Sequence, residues 1–153
     1  MIDTRDGNAR LFDFLPKFSP PIGTLASLSG DALLGRVGLF ASGLQQRVAA
    51  AWNASLTDLT CGQVRMLVGQ RLGLPWLAHP VATFVAIYPD AECDLYPGDL
   101  AVNALACWRE LNTHAPAETL AMIKSDFRWL EDSTDELAME ARDNLAEARA
   151  AIL

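Results

Sequence analysis

No stretch of this chain approaches the ~20 uninterrupted apolar residues that a membrane span requires. The opening residues, Met1-Ile2-Asp3-Thr4-Arg5-Asp6, have no basic segment followed by an apolar run, so neither a membrane span nor a signal peptide is expected. The three cysteines, Cys61, Cys93 and Cys107, are odd in number, widely spaced and without a Cys-x-x-Cys pair. That excludes a disulfide framework and favours buried, reduced thiols in a cytoplasmic protein. The two histidines, His79 and His114, stand on no metal-ligand spacing, and neither a metal nor a cofactor is expected. No run alternates apolar and polar residues for long enough to argue a strand, so a phosphate-cradling glycine loop has no strand to follow. Positive charge is also scarce: 12 Lys and Arg face 19 Asp and Glu, giving a formal net charge of −7 and a pI near 4.7. A surface of that sign repels phosphate backbones, which disfavours direct nucleic-acid binding and favours a basic protein partner.

What is present is apolar material at helical spacing. With 153 residues, 51% hydrophobic composition and a mean hydropathy of +0.15, the chain can bury a core of its own as one domain. Residues 1–30 read as an irregular arm, interrupted by Gly7, Pro16, Pro20, Pro21, Gly23 and Gly30. Leu11, Phe12, Phe14, Leu15 and Phe18 are too apolar for a free tail and should pack the arm onto the helical domain at 31–153. A helix starting near Ser29 or Asp31 would align Leu33, Val37, Phe40, Leu44, Val48 and Trp52 on one face. Gly35, Gly38 and Gly43 soften it by roughly 1 kcal/mol each relative to Ala.

Stronger punctuation follows. Thr60-Cys61-Gly62-Gln63 is a capping box opening a helix through Val64, Leu67 and Val68, for which Gly73 is the expected left-handed stop. Pro75 suits the first turn of the next helix, from Trp76 to Ile87, which ends before Pro89 and should kink or break near Ala78-His79 because of Pro80. Asp99 is positioned to cap a helix over Leu100, Ala104, Leu105 and Trp108. Another helix begins near Pro116 and carries Leu120, Ile123, Phe127 and Leu130 on one face. Ser133-Thr134-Asp135-Glu136 reads as a capping box for a last helix through Leu137, Ala141, Leu145, Ala148 and Ile152. The expected fold is an all-α, single-domain bundle of about six helices.

Candidate chemistry is thin. Cys107 and His114 are spaced to share one side of a helix and its exit loop, but Cys107 stands between core-like Ala106 and Trp108 and reads as packing material. The loop from Asp90 to Asp99 holds four acids and no base, interleaved with Tyr88 and Tyr96. Such a patch can mimic phosphates and occupy a basic cleft, or it can be a solvated loop in which Asp99 caps a helix. The acids of the last third, from Asp126 to Glu147, form a second candidate surface that a polar helix face also explains. Arg65 either pairs with Asp94 or Asp99 to hold the loop against its helix or touches a partner directly, and Gln70 can bridge backbone groups of the turn at Gly73.

One block carries a recognisable pattern. Leu59 and Arg65, then Val68-Gly69-Gln70, Gly73-Leu74, Leu77, Pro80 and Ala82, followed by Pro89, Glu92, Asp94 and Tyr96-Pro97-Gly98-Asp99-Leu100, resemble the immunity proteins of bacterial contact-dependent growth inhibition. The likeness covers about a third of the chain, Leu59 to Leu105, with Cys93 in place of an expected glycine and Ala101 in place of a second leucine. It implies a small helical, non-catalytic protein of the cytoplasm that neutralises the carboxy-terminal toxin domain of a CdiA-type exoprotein. Those domains are frequently nucleases, including ones acting on tRNA. On this reading Asp90, Glu92, Asp94 and Tyr88 are the toxin-binding candidates, and Arg65, Gly69, Gln70, Gly73, Tyr96, Pro97, Gly98 and Asp99 are the structural motif. A helical adaptor or regulatory subunit for another basic protein is the alternative. A small hydrolase using Cys107 or His79 is a third.

Overall fold

A computed structural model describes residues 7–153, and the expectation about a leader at residues 1–6 lies outside that range. The described residues fold as one all-α domain of nine helices: α1 (Leu25–Ser29), α2 (Gly43–Asn53), α3 (Cys61–Gly69), α4 (Leu74–Ile87), α5 (Asp99–Ala106), α6 (Trp108–His114), α7 (Pro116–Ile123), α8 (Arg128–Glu131) and α9 (Glu136–Ile152). Short 3-10 turns lie at Leu11–Phe14, Leu33–Gly35 and Leu56–Asp58, and no described residue belongs to a strand beyond isolated bridges. None of the described helices is long and apolar enough to cross a membrane.

The count exceeds six because two expected helices are each divided and the short α1 lies in the arm. Cys107 separates α5 from α6, and residues 124–127 separate α7 from α8, so Ile123 and Leu130 reach the core from different helices. The last helix begins where the sequence suggests, but Asp135 at its start makes no side-chain capping bond; the Ser133 hydroxyl accepts from the Asp135 amide instead.

The centre of the domain is α4, whose Leu77, Ala78, Val81, Ala82, Phe84 and Val85 are all buried. A helix this rich in apolar residues must be covered on most of its surface, and only a strip through Pro75, His79 and Ile87 is exposed. Here α7 and α6 cover it most extensively, with α3 and α5 also in contact. The expected break at Pro80 does not occur, and α4 runs without interruption from Leu74 to Ile87. A proline inside a helix costs about 3 kcal/mol, whereas each fully buried aliphatic or aromatic side chain contributes about 1.5–3 kcal/mol. Leu77, Val81 and Phe84 flank Pro80 on the buried surface, so packing outweighs the lost hydrogen bond.

The arm is less irregular than expected, since α1 lies within it, capped by a reciprocal Thr24–Ser27 box. It does pack: Leu11, Phe12, Leu15 and Leu25 are buried, and its backbone is stitched to the 59–62 segment by Leu11 N–H to Leu59 O, Cys61 N–H to Ala9 O and Gly62 N–H to Gly7 O.

The expected helix from 31 to 52 is also corrected. A 3-10 turn at Leu33–Gly35 is followed by irregular backbone to Ser42, and only Gly43–Asn53 is helical. Ser42 and Gln45 form a complete capping box that starts α2 at this point. Asn53 Nδ2 then donates to Gly35 O, and Trp52 Nε1 donates to Asp31 O, folding the 31–35 segment back along α2. The periodic face is therefore split: Val48 and Trp52 are buried while Leu33, Val37 and Phe40 are exposed.

The end of α3 shows a third correction. Its left-handed stop is Arg71 (φ 56°), not Gly73. Leu72 N–H bonds to Leu67 O and Arg71 N–H to Val68 O, the two bonds of a Schellman motif with Arg71 at C′. The strain at Arg71 is offset because its guanidinium donates to Glu110 Oε1 at 2.7 Å and to Ala106 O at 3.1 Å, closing the free end of α5. Gly73, at φ 72°, is the N-cap of α4, and a Cβ there would press on the Leu25 methyls at 3.1 and 3.2 Å. Two substitutions separate these roles in urea unfolding. Arg71→Gly is expected to stay within about 1 kcal/mol of wild type, because backbone relief balances the lost contacts. Gly73→Ala is expected to lose about 2 kcal/mol from left-handed strain and crowding of Leu25.

Candidate functional site

The block from Leu59 to Leu105 is organised by one side chain. Asp99 is fully buried at the first position of α5, behind Gly98, which takes the N-cap position in left-handed conformation (φ 80°). Asp99 is therefore not the cap that its position suggests. Its carboxylate reaches back into the preceding loop: Oδ1 accepts from Cys93 N–H at 2.9 Å and Leu100 N–H at 2.8 Å, and Oδ2 accepts from Asp94 N–H at 2.9 Å and Leu95 N–H at 2.8 Å. A buried carboxylate is tolerable only when its lone pairs are satisfied, and here four amides do so.

Arg65 supplies the countercharge from α3. Its Nε lies 3.6 Å from Asp99 Oδ2 and its Nη1 lies 3.9 Å from Asp94 Oδ2. Both separations exceed hydrogen-bond length, and the Arg65 Nε is buried without a hydrogen-bond partner, so the contact is an ion pair. Of the two roles considered for Arg65, the geometry is that of pairing with Asp94 and Asp99.

The loop is closed by Gly98 N–H to Ala91 O, Asp99 N–H to Tyr96 O and a bridge between Glu92 and Pro97. Gly98 is required twice: for its positive φ, and because the Trp129 ring from α8 lies where a Cβ would stand. Gly69 has a similar duty on α3, since a Cβ there would meet the Asn103 amide at 2.9 Å, and Asn103 Nδ2 donates to Arg65 O across the α3–α5 contact.

Cys93, standing in place of the expected glycine, is buried under this loop. A hydrogen bond with the Cys61 thiol, followed by burial, pushes its ionisation far above the ordinary thiol range. Burial pushes the Cys107 thiol up to about 12, with Glu110 adding to the effect, and its Sγ donates to Asn103 O at 3.4 Å. Thiols held protonated at neutral pH are poor nucleophiles. His79 is engaged elsewhere, with Nε2 2.7 Å from Glu118 Oε1 and its ring stacked on Phe18.

The four toxin-binding candidates are not gathered on one face. Asp90 and Asp94 are exposed and Glu92 is half-buried. Tyr88 turns its ring into an aromatic cluster with Phe84 and Phe14, at centroid distances of 5.2 and 6.3 Å. Asp94 alone of the four lines a groove of about 820 Å³ between α2, α3 and the loop, whose walls also include Arg47, Arg65, Gln63, Gln70 and Asn103. Motif residues Arg65, Gly69 and Gln70 thus converge with one acid of the loop. Leu95, 60% exposed at the same groove, was missed from sequence, as was Arg47. Asn103, a lone amide between Val102 and Ala104 on an otherwise apolar helix, was the readable signal. Among the carboxy-terminal acids, Glu147 pairs with Arg109, and hydrogen bonds from Arg128 hold Asp126 below the usual carboxylate range.

The chain matches no family model, no curated protein and no solved structure. Fold and site together define an all-α domain whose acidic loop is tied to the core through one buried carboxylate. Asp99→Asn, which removes the charge and turns an NH2 group toward two of the four amides, is expected to destabilise the fold by about 3 kcal/mol in urea unfolding. Asp94→Asn, at a half-exposed position, is expected to change stability by less than about 1 kcal/mol.

Proposed function

We propose that this chain is an immunity protein that binds the carboxy-terminal toxin domain of a CdiA-type exoprotein and neutralises it in the cytoplasm. The likeness of Leu59–Leu105 to the immunity proteins of contact-dependent growth inhibition motivates the reading. One observation carries it furthest: the Asp99 carboxylate holds the backbone of Cys93, Asp94 and Leu95, which fixes an acidic loop in position before any partner arrives. A preorganised loop avoids much of the ordering cost that weakens flexible interfaces.

The inhibitor works by substitution. Asp90 and Asp94 are exposed on this loop, and on this reading they take the place of substrate phosphates in the basic cleft of a nuclease toxin. Their charge, within a chain of net charge −7, speeds encounter with such a cleft. Leu95, exposed beside Asp94, supplies the apolar anchor that interfaces need at their centre. Tyr88, committed to its aromatic cluster, contributes to the support of the loop. No nucleic acid is bound directly in this scheme.

The test requires a CdiA-type exoprotein encoded near this gene, and it uses the carboxy-terminal toxin domain of that exoprotein. Combined charge reversal at Asp90, Glu92 and Asp94 to Lys is expected to weaken toxin binding by at least about 100-fold, or roughly 3 kcal/mol, and to abolish growth protection, with the fold intact by circular dichroism. Protection should survive Cys107→Ala with His79→Ala. Unchanged binding after the charge reversal removes the loop from the interface, and loss of protection in the Cys/His variant favours the hydrolase.

A further inference from the structure

One acid-free stretch of this acid-rich chain also leaves its apolar side chains in water. Between Asp31 and Asp58 there is no Asp or Glu, although the whole chain carries 19, and the charged residues of that stretch are Arg36 and Arg47. Seven other described arginines each reach a carboxylate or a backbone carbonyl. Arg36 and Arg47 are exposed and have no such partner among the described residues.

The same stretch displays apolar side chains in an unusual density. Leu39 is 92% exposed and Phe40 94%, with Leu33 and Val37 also largely in water. Leu34, Val37, Phe40, Leu44 and Leu72 line a groove of about 610 Å³ with Arg36 among its walls. It adjoins the Asp94 groove through Leu44 and Gln70, and Arg47 stands on that second groove. The segment is held in this pose by Trp52 Nε1 to Asp31 O, Asn53 Nδ2 to Gly35 O and Leu33 N–H to Asp31 Oδ1. Contiguous apolar surface rimmed by polar groups marks an interaction site.

Charge selects the occupant. A second copy meeting this face with its own would set two arginines against two arginines, which a two-fold contact disfavours. A basic partner meets Arg36 and Arg47 first, with Asp31 turned onto the Leu33 amide and Asp94 on the adjoining groove. An amphipathic segment with acidic flanks meets an apolar floor and two uncommitted guanidinium groups. We propose that the 33–47 face docks an acidic amphipathic segment of a partner protein, with its apolar side on Phe40 and Leu44 and its carboxylates on Arg36 and Arg47. The proposal is independent of whether the acidic loop binds a toxin.

The experiment uses the full chain and a synthetic, fluorescein-labelled peptide of about 18 residues, with Leu at i, i+3, i+4 and i+7 and Glu elsewhere. Bulk charge alone predicts that this peptide is repelled. Anisotropy is expected to show binding that weakens at least roughly tenfold in Leu39→Ser/Phe40→Ser, in Arg36→Glu/Arg47→Glu, and on raising salt from about 50 to 300 mM. All four positions are exposed, and circular dichroism confirms that the variants fold. The matching Leu/Lys peptide should bind, if at all, without regard to either variant. Absence of acidic-peptide binding, or binding indifferent to both variants, overturns the proposal. So does a dimer in sedimentation velocity that Leu39→Ser/Phe40→Ser abolishes, which assigns the face to a second copy.

Discussion

A carboxylate taken out of water must find replacements for the hydrogen bonds it leaves behind, and Asp99 finds them in the backbone of its own preceding loop. The demand runs in both directions. The amides of Cys93, Asp94 and Leu95 need an acceptor in a segment with no helix or sheet to supply one, and the carboxylate needs donors at the start of α5. Arg65 brings a positive charge from α3 to the same point, so loop, α3 and α5 are bound through a single centre. Gly98 then has to be glycine, Trp129 can close over it, and Gly69 lets Asn103 tie the two helices together. The outward positions of Asp94 and Leu95 follow from the inward position of Asp99.

That division separates the residues that build the loop from those proposed to meet a partner. Tyr96, Gly98 and Asp99 face the domain, where substitution breaks geometry, while Asp90, Asp94 and Leu95 face solvent, where substitution leaves the loop geometry in place. A scaffold of this kind can keep its loop fixed while its exposed residues vary with the partner. The second surface, at 33–47, differs in chemistry as well as place. It is apolar and cationic, where the loop is acidic, and its exposure follows from α2 starting as late as Gly43.

How much was legible in sequence depends on the range of the signal. Thr60 with Gln63, Pro75 at a first turn and Pro89 past a helix end are local devices, and each marks a real boundary. The all-α class follows from the spacing of apolar residues. Where two local signals competed, the pattern misled: Leu33 to Trp52 has helical periodicity, but the Ser42–Gln45 box and the Asn53 amide decided the backbone. Gly73 looked like the stop of α3, whereas Arg71 adopts the left-handed position because Glu110 and Ala106, far along the chain, reward it. Asp99 is the clearest case. At a helix start, an aspartate that caps and an aspartate that gathers a distant loop have the same sequence, and only the burial of the site distinguishes them.

Native-state hydrogen exchange at the amides of Cys93, Asp94 and Leu95 tests this account most directly, because an exposed acidic loop ordinarily exchanges fast. If Asp99 holds the loop as described, these three amides are protected to within about 1 kcal/mol of the buried α4 amides at Val81 and Phe84. Exchange of all three at the rate of unprotected loop amides would contradict it, and the acidic loop would then have no fixed shape to offer a partner.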